Sequence, residues 1–175
     1  MRIIAGEFKS RILKDPKSKR THPMSEKIRG AMFNSLGDIS GKTFLDAFAG
    51  TGSVAVEALS RGAVGVHAVE INPDSFDILK ANRDAVTDSS RLQVHRSNVK
   101  SWVNNNAEFF DIIMADPPYD AVSMSTLEAV AEFVQTGGFL IVSLPIAEHF
   151  RKANLKLLEE KRYGNAKLAF YKKLK

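Results

Sequence analysis

An apolar run reading "FDIIMA" ends in Asp116-Pro117-Pro118-Tyr119. Prolines carry no N–H and hold their backbone extended, so nearby carbonyls are not consumed by local helical bonding. The Asp116 carboxylate and the Pro117 carbonyl then form a pair of closely spaced acceptors. Pro118 stiffens the mount, and the Tyr119 ring offers a surface on which a base stacks. An exocyclic amine on a base has two N–H donors and a lone pair lost to ring conjugation. Holding both N–H groups pulls the nitrogen toward tetrahedral geometry and frees that pair to attack a methyl sulfonium, without a strong base. The same letters also fit a proline-rich strand end with a capping acid. Their place at the fourth strand of an alternating fold favours the chemical reading.

A second constellation lies upstream, in "DAFAGTGSVAVEA". Gly50 and Gly52 let backbone approach a ligand at the start of a helix, although such turns often need glycine for packing alone. The next strand ends in "HAVEINP", where Glu70 is placed to accept hydrogen bonds from two ribose hydroxyls. Glycine loop and strand-end acid together indicate a nucleoside cofactor, either NAD or S-adenosylmethionine. Two details lean away from NAD. Asp46 precedes the loop, where an ammonium group is welcome and a pyrophosphate is not, and Ala55 stands where a third glycine belongs. After the third strand, the Asn98 side-chain carbonyl is placed to accept from an adenine amine, with Ile71 and Val99 sandwiching the ring. Taken alone, Asn98 is an ordinary turn residue.

These residues need strands that deliver them to one edge and helices that cover the faces. "MRIIAGEFKSRIL" reads as a small N-terminal β-hairpin, and "KDPKSKRTHP" as a polar loop. Ser25 caps a helix with apolar residues at Ile28, Ala31, Met32 and Leu36, which Gly37 ends. Beyond it the chain alternates. "KTFLDAFA", "GVHAVEI", "RLQVHR", "FFDIIMA" and "GFLIVSL" read as strands. "SVAVEALSR", "NPDSFDILKANRDAV", a weak segment near Trp102 and residues 123–134 read as helices. The last stretch reads as two strands joined near Gly164-Asn165. The expected fold is α/β, a Rossmann-like doubly wound, mostly parallel seven-stranded sheet with a C-terminal antiparallel hairpin. Ligands of such sheets bind at the carboxyl ends of the strands.

The chain has 175 residues, enough for one domain with a sizeable core. No run reaches the length of a membrane span, and no secretory leader is evident, so the expected compartment is the cytoplasm. Zero cysteines and four scattered histidines suggest no metal. The net charge of +5 is unevenly spread: residues 1–29 carry nine Lys/Arg against three acids, residues 30–149 seven against fifteen, and residues 150–175 nine against two. Solvated lysine-rich faces account for many such patterns. The cluster from Lys9 and Arg11 to Arg20 has little apolar content and points to a polyanion partner, nucleic acid being the expected one.

Together "MRIIAGEFKSRIL", "SEKIRGAMFNSL", "DAFAGTGSVAVEALSRGA", "VEINP", "DPPY" and "YGNAKLAFYKK" resemble the bacterial 16S rRNA guanine-N2 methyltransferases, within the class I S-adenosylmethionine-dependent enzymes. The resemblance runs nearly end to end. It implies methyl transfer from S-adenosylmethionine to the exocyclic amine of a guanine in 16S rRNA, free or in a small-subunit assembly intermediate. It also implies that Asp46, Gly50 and Gly52 cradle the methionine portion, Glu70 the ribose, and Ile71, Asn98 and Val99 the adenine. Asp116, Pro117, Pro118 and Tyr119 would hold the guanine, and Lys9, Arg11 and Arg20 the RNA phosphates. On this reading residues 1–24 are an RNA-binding extension and residues 25–175 the methyltransferase domain, working as a monomer. The family's Arg-Pro-Thr before the first helix is His22-Pro23-Met24 here, and its acid after the third strand is Asn98. A DNA-base or protein-glutamine acceptor, or a catalytically silent RNA-binding assembly factor, are the alternatives.

Overall fold

The computed structural model describes residues 1–15, 24–120 and 122–175. Arg20, His22 and Pro23 lie outside the described residues. Five helices, α1 (Glu26–Leu36), α2 (Ser53–Ser60), α3 (Pro73–Asp84), α4 (Val99–Asn104) and α5 (Met124–Glu132), alternate with the strands. The strands are β1 (Thr43–Asp46), β2 (Gly65–Glu70), β3 (Leu92–Arg96), β4 (Phe110–Ala115), β5 (Val134–Pro145), β6 (Leu155–Tyr163) and β7 (Ala166–Lys173). They form one seven-stranded sheet in the order β3-β2-β1-β4-β5-β7-β6. The first five strands are parallel, and β7 runs antiparallel between β5 and β6. The order reverses direction between β1 and β4, so the carboxyl ends of β1, β2 and β4 flank the switch point where ligands bind.

The central strands read as near-continuous apolar runs because both faces are covered. On one face Phe33 of α1, Leu59 of α2 and Leu79 of α3 pack with Phe44, Ile141 and Phe170. On the other, Val103 of α4 and Leu127 of α5 pack with Leu45, Ile113 and Val142. Phe33 and Phe44 are fully buried and stack with centroids 6.0 Å apart. Burial of a side chain of that size contributes about 1.5–3 kcal/mol. Caps set the helix starts: the Ser25 hydroxyl accepts from the Ile28 amide at 3.3 Å, and Asn72, ahead of Pro73, from the Ser75 amide at 2.9 Å.

Two elements depart from the sequence-based expectation. β5 begins at Val134 rather than at Gly138, with a register irregularity where it meets β4. Gly137 is left-handed at φ 81°, and a Cβ on Gly138 would stand 2.6 Å from the Asp111 carbonyl, so these glycines carry the strand through a tight kink. The N-terminal hairpin is reduced to a single antiparallel bridge, Arg2 with Ile12. The Ile3, Ser10 and Leu13 amides still pair across it, with the Arg11, Ile3 and Met1 carbonyls, and other amides go to α2. The Glu57 carboxylate accepts from the Ile4 and Ala5 amides at 2.8 and 3.1 Å, and the Ser60 hydroxyl from the Phe8 amide at 2.9 Å. Ile3, Phe8 and Leu13 enter the same core as α1 and α2.

Candidate active site

Three carboxyl groups converge at the strand ends: Asp46 closes β1, Glu70 closes β2 and Asp116 follows β4. Each lies at the carboxyl end because its strand is apolar up to that point and the turn begins there. Asp46 is 2% exposed, and its Oδ2 accepts from the Ala55 amide at 3.1 Å, at the start of α2. Burial pushes its carboxyl up to about 8, with the neighbouring charges of Asp116 and Glu70 adding to the rise. Glu70 is raised by burial, against hydrogen bonds from the Asn72, Gly50 and Ile71 amides. Asp116 is raised by burial too, opposed by a hydrogen bond from Ser143. Among the described residues, no Lys, Arg or His pairs with any of the three. A concentration of buried acid without cations favours a cationic ligand.

The glycine loop hangs over this group. The Glu70 Oε2 accepts from the Gly50 amide at 2.7 Å and its Oε1 from the Asn72 amide at 2.7 Å, which locks the carboxylate across the mouth of the loop. With the Ile71 amide as a third donor, the carboxylate keeps one lone-pair site for a ligand hydroxyl. The two glycines differ in role. A Cβ on Gly52 would strike Leu79 Cδ1 at 2.3 Å, so this glycine serves helix packing. Gly50, at φ 53°, has nothing within 4 Å of a Cβ position: the space beside it is open for a ligand. Thr51, between them, is buried with its Oγ1 unpartnered among the described residues.

Ile71 stands 62% exposed beside Glu70, while Val99 is buried at the start of α4. Asn98 differs from the sequence-based expectation. Its Oδ1 caps α4, accepting from the Lys100 and Ser101 amides at 3.0 and 3.3 Å. Both lone pairs of that carbonyl are engaged, so the group Asn98 has left to offer a base is its Nδ2 donor, suited to a ring nitrogen and not to an exocyclic amine.

Pro117 is buried and Pro118 exposed, and the Tyr119 ring is 42% exposed at the cleft. The Tyr119 hydroxyl and the Ser143 Oγ share a hydrogen bond of 2.7 Å. Ser143, 3% exposed on β5, also hydrogen-bonds Asp116. Either hydroxyl of that pair can donate; when Asp116 is ionised, a Ser143 proton directed to it leaves the Tyr119 O–H to donate to Ser143. Neither Ser143 nor Thr51 is found by sequence reasoning; the one available signal is a hydroxyl residue inside an otherwise apolar strand, "GFLIVSLP". Lys9 and Arg11 are exposed on the N-terminal segment, where the Arg11 guanidinium donates to the Ala85 carbonyl at 3.1 Å and lies over Phe8. They stand by the C-terminal ends of α2 and α3, at Ser60 and Ala85, away from the helix starts that meet the carboxyl cluster.

Open space beside Gly50, an unpartnered buried hydroxyl at Thr51, a free acceptor site on Glu70 and uncompensated acid at Asp46 fit a cationic ligand bearing hydroxyls, as S-adenosylmethionine is. No group of three His, Cys, Asp or Glu side chains among the described residues could hold a metal ion, and no described helix is long and apolar enough to cross a membrane.

Comparison with known proteins agrees with this geometry. The family described as Conserved hypothetical protein 95 matches residues 1–172. A Bacillus subtilis protein, YlbH, which carries a provisional rRNA methyltransferase name, is 29% identical over 99% of both chains. The Escherichia coli ribosomal RNA small subunit methyltransferase D is 30% identical over 80% of this chain and 69% of its own. The solved structure of YhhF from Escherichia coli, titled as a provisional methyltransferase, superposes with a TM-score of 0.89 at 25% identity, covering 100% of this chain and 98% of that one. The chain therefore belongs to the Conserved hypothetical protein 95 family, the S-adenosylmethionine-dependent 16S rRNA methyltransferases that its sequence resembles.

Proposed function

We propose that this chain transfers a methyl group from S-adenosylmethionine to the exocyclic N2 amine of a guanine in small-subunit ribosomal RNA. The observation that carries the reading is the convergence of Asp116-Pro117-Pro118-Tyr119 with the Asp46–Glu70 acid pair at one switch point of the sheet. Bound S-adenosylmethionine supplies an electrophilic methyl group on a positively charged sulfur. Asp46 and the Gly50 loop hold its methionine end, Glu70 its ribose, and Ile71, Val99 and the Asn98 amide its adenine.

Asp116 and the Pro117 carbonyl accept the two N–H groups of the amine and orient its lone pair toward the donor side. Tyr119, fixed through Ser143, stacks on the base. Transfer would form the N–C bond as the sulfur–methyl bond breaks and leaves a neutral thioether; the amine would then shed a proton, and Asp116 is placed to receive it because burial already raises its affinity for one. Orientation and charge placement carry the rate, so no strong base is needed. The basic extension over residues 1–24, with Lys9, Arg11 and Arg20, grips RNA phosphates, and the enzyme acts as a monomer. Guanine is supported by the likeness of "DPPY" and the flanking motifs to the family, and rRNA by the names of the relatives.

The test is incubation with methyl-labelled S-adenosylmethionine and either naked 16S rRNA or assembling small subunits. Label in the RNA is the expected result. No label on either substrate, with cofactor binding demonstrated, would falsify it.

A further inference from the structure

One side chain of α3 ties together two segments that methyl transfer to RNA assigns to different ligands. Asn82 is 1% exposed, and its amide is spent on backbone far away in the chain. Its Oδ1 accepts from the Lys14 amide at 2.7 Å. Its Nδ2 donates to the Lys14 carbonyl at 3.1 Å and to the Thr51 carbonyl at 2.9 Å. Both N–H groups are thereby used, one on the N-terminal segment and one on the glycine loop.

Thr51 lies in the turn beside the acid cluster. The Ala49 carbonyl accepts from the Gly52 amide at 2.8 Å and closes that turn. On the β2 side the loop is held by the Gly50 amide on Glu70. On the other side α3 holds it, with Leu79 lying against Gly52 and Asn82 on the Thr51 carbonyl. Residues three apart share a helix face, so Leu79 and Asn82 meet the loop together. A shift of Asn82 therefore moves the loop whose open side, at Gly50, faces the cofactor.

Lys14 belongs to the basic N-terminal segment. Leu13 before it is buried in the core shared by α1 and α2, and Arg11 donates to the Ala85 carbonyl at the end of α3. The paired exchange between Lys14 and Asn82 fixes the backbone as one rung of a β-ladder does. A side chain that only anchored this segment would need no third bond, yet the third bond reaches the glycine loop. Bonds made by one conjugated amide are not independent: donation by Nδ2 makes Oδ1 the better acceptor. Groups that share such a network couple by about 2- to 150-fold in an equilibrium constant.

We propose that Asn82 is a positioning residue for methyl transfer: it holds the cofactor loop and the RNA-gripping segment in one register, so that filling either site favours filling the other. This rests on the RNA methyltransferase reading above and deepens it. Asn82 touches neither ligand. It acts through the Thr51 carbonyl on one side and the Lys14 backbone on the other.

The test uses the full chain, S-adenosylhomocysteine as a cofactor that cannot react, and a labelled fragment of small-subunit rRNA. In the wild type, saturating RNA should lower the Kd for S-adenosylhomocysteine about tenfold, and saturating S-adenosylhomocysteine should lower the Kd for RNA by the same factor. In Asn82→Ala both factors should fall to about 1. Asn82→Ser, too short to span both backbones, should lose the coupling as well, and it serves where the alanine variant does not fold. Arg11→Gln releases the segment from α3 at a point away from the loop; it should weaken RNA binding and leave the factor at its wild-type value. A lowered Tm with the coupling factor intact in the Asn82 variants assigns the residue to the scaffold alone and overturns the proposal. So does a wild type that methylates rRNA but shows no coupling. Absence of methylation by the wild type with cofactor bound overturns the reading beneath it.

Discussion

Ser143 joins the stacking platform to the acid: one hydroxyl fixes the Tyr119 ring and favours the ionised form of Asp116. Ser143→Ala should lower kcat/KM for RNA about tenfold, the scale of one hydrogen bond to a charged group. The lost bond raises the Asp116 carboxyl further, so the acid limb of the kcat profile should move to higher pH. Cofactor affinity should not change, and Ser143→Thr should restore part of the activity. A variant with an unmoved pH profile contradicts the link to Asp116. The two glycines separate in the same way. Both sit at positive φ, where a side chain costs about 1–2 kcal/mol. Gly52→Ala adds a clash with Leu79 and should lower Tm beyond that strain, whereas Gly50→Ala should keep the fold and lose cofactor binding. Thermal melts and cofactor titration of the pair decide it; equal loss of Tm contradicts the assignment. The sequence marks both glycines, but which one faces a ligand depends on where Leu79 of α3 packs. Ser143 is silent in the sequence for a similar reason: its role arises because β5 lies next to β4.

The elements were legible where periodicity was strong. Both-faces-buried strands read as apolar runs, and Ser25, Asn72 and Pro73 start helices where the sequence says they do. What escaped was pairing between distant segments. Glu57 reads as one polar residue in a helix, yet it is fully buried and collects the Ile4 and Ala5 amides together with Arg29 and Arg61 at 3.4 and 2.8 Å. The N-terminal segment is thereby clamped to α1 and α2, while Gly6 lets it lie against the Ser60 carbonyl, where any Cβ would collide at 1.7 Å. Glu57→Ala leaves the Arg29 guanidinium buried beside free amides and should destabilise the chain by about 3–5 kcal/mol. Denaturant unfolding measures this, and a loss below 1 kcal/mol would contradict a structural clamp. No local pattern predicts it, because the partners stand more than fifty residues apart at Ile4 and Glu57.

At the scale of the whole molecule, the fold places acid at the cleft and cations on the outer segments. The acid cluster destabilises the cofactor-free protein when ionised. Burial pushes the Asp46 carboxyl from its ordinary value of 3.8 up to about 8, so between those values the folded state binds a proton that the unfolded chain does not. Its stabilising effect is therefore present at low pH and lost as pH rises through about 8. Between pH 6.5 and 8, stability should fall with rising pH by at most about 1.4 kcal/mol per unit for this one proton. Asp46→Asn should remove that slope while weakening cofactor binding; parallel pH profiles for variant and wild type contradict the shift. The central claim, amino-methylation of guanine, is tested most directly by the product. Small-subunit rRNA methylated by the purified chain, digested to nucleosides and resolved by mass spectrometry, should yield N2-methylguanosine with the wild type and none with Asp116→Ala, which still binds cofactor. Label in any other nucleoside, or undiminished N2-methylguanosine from Asp116→Ala, would contradict it.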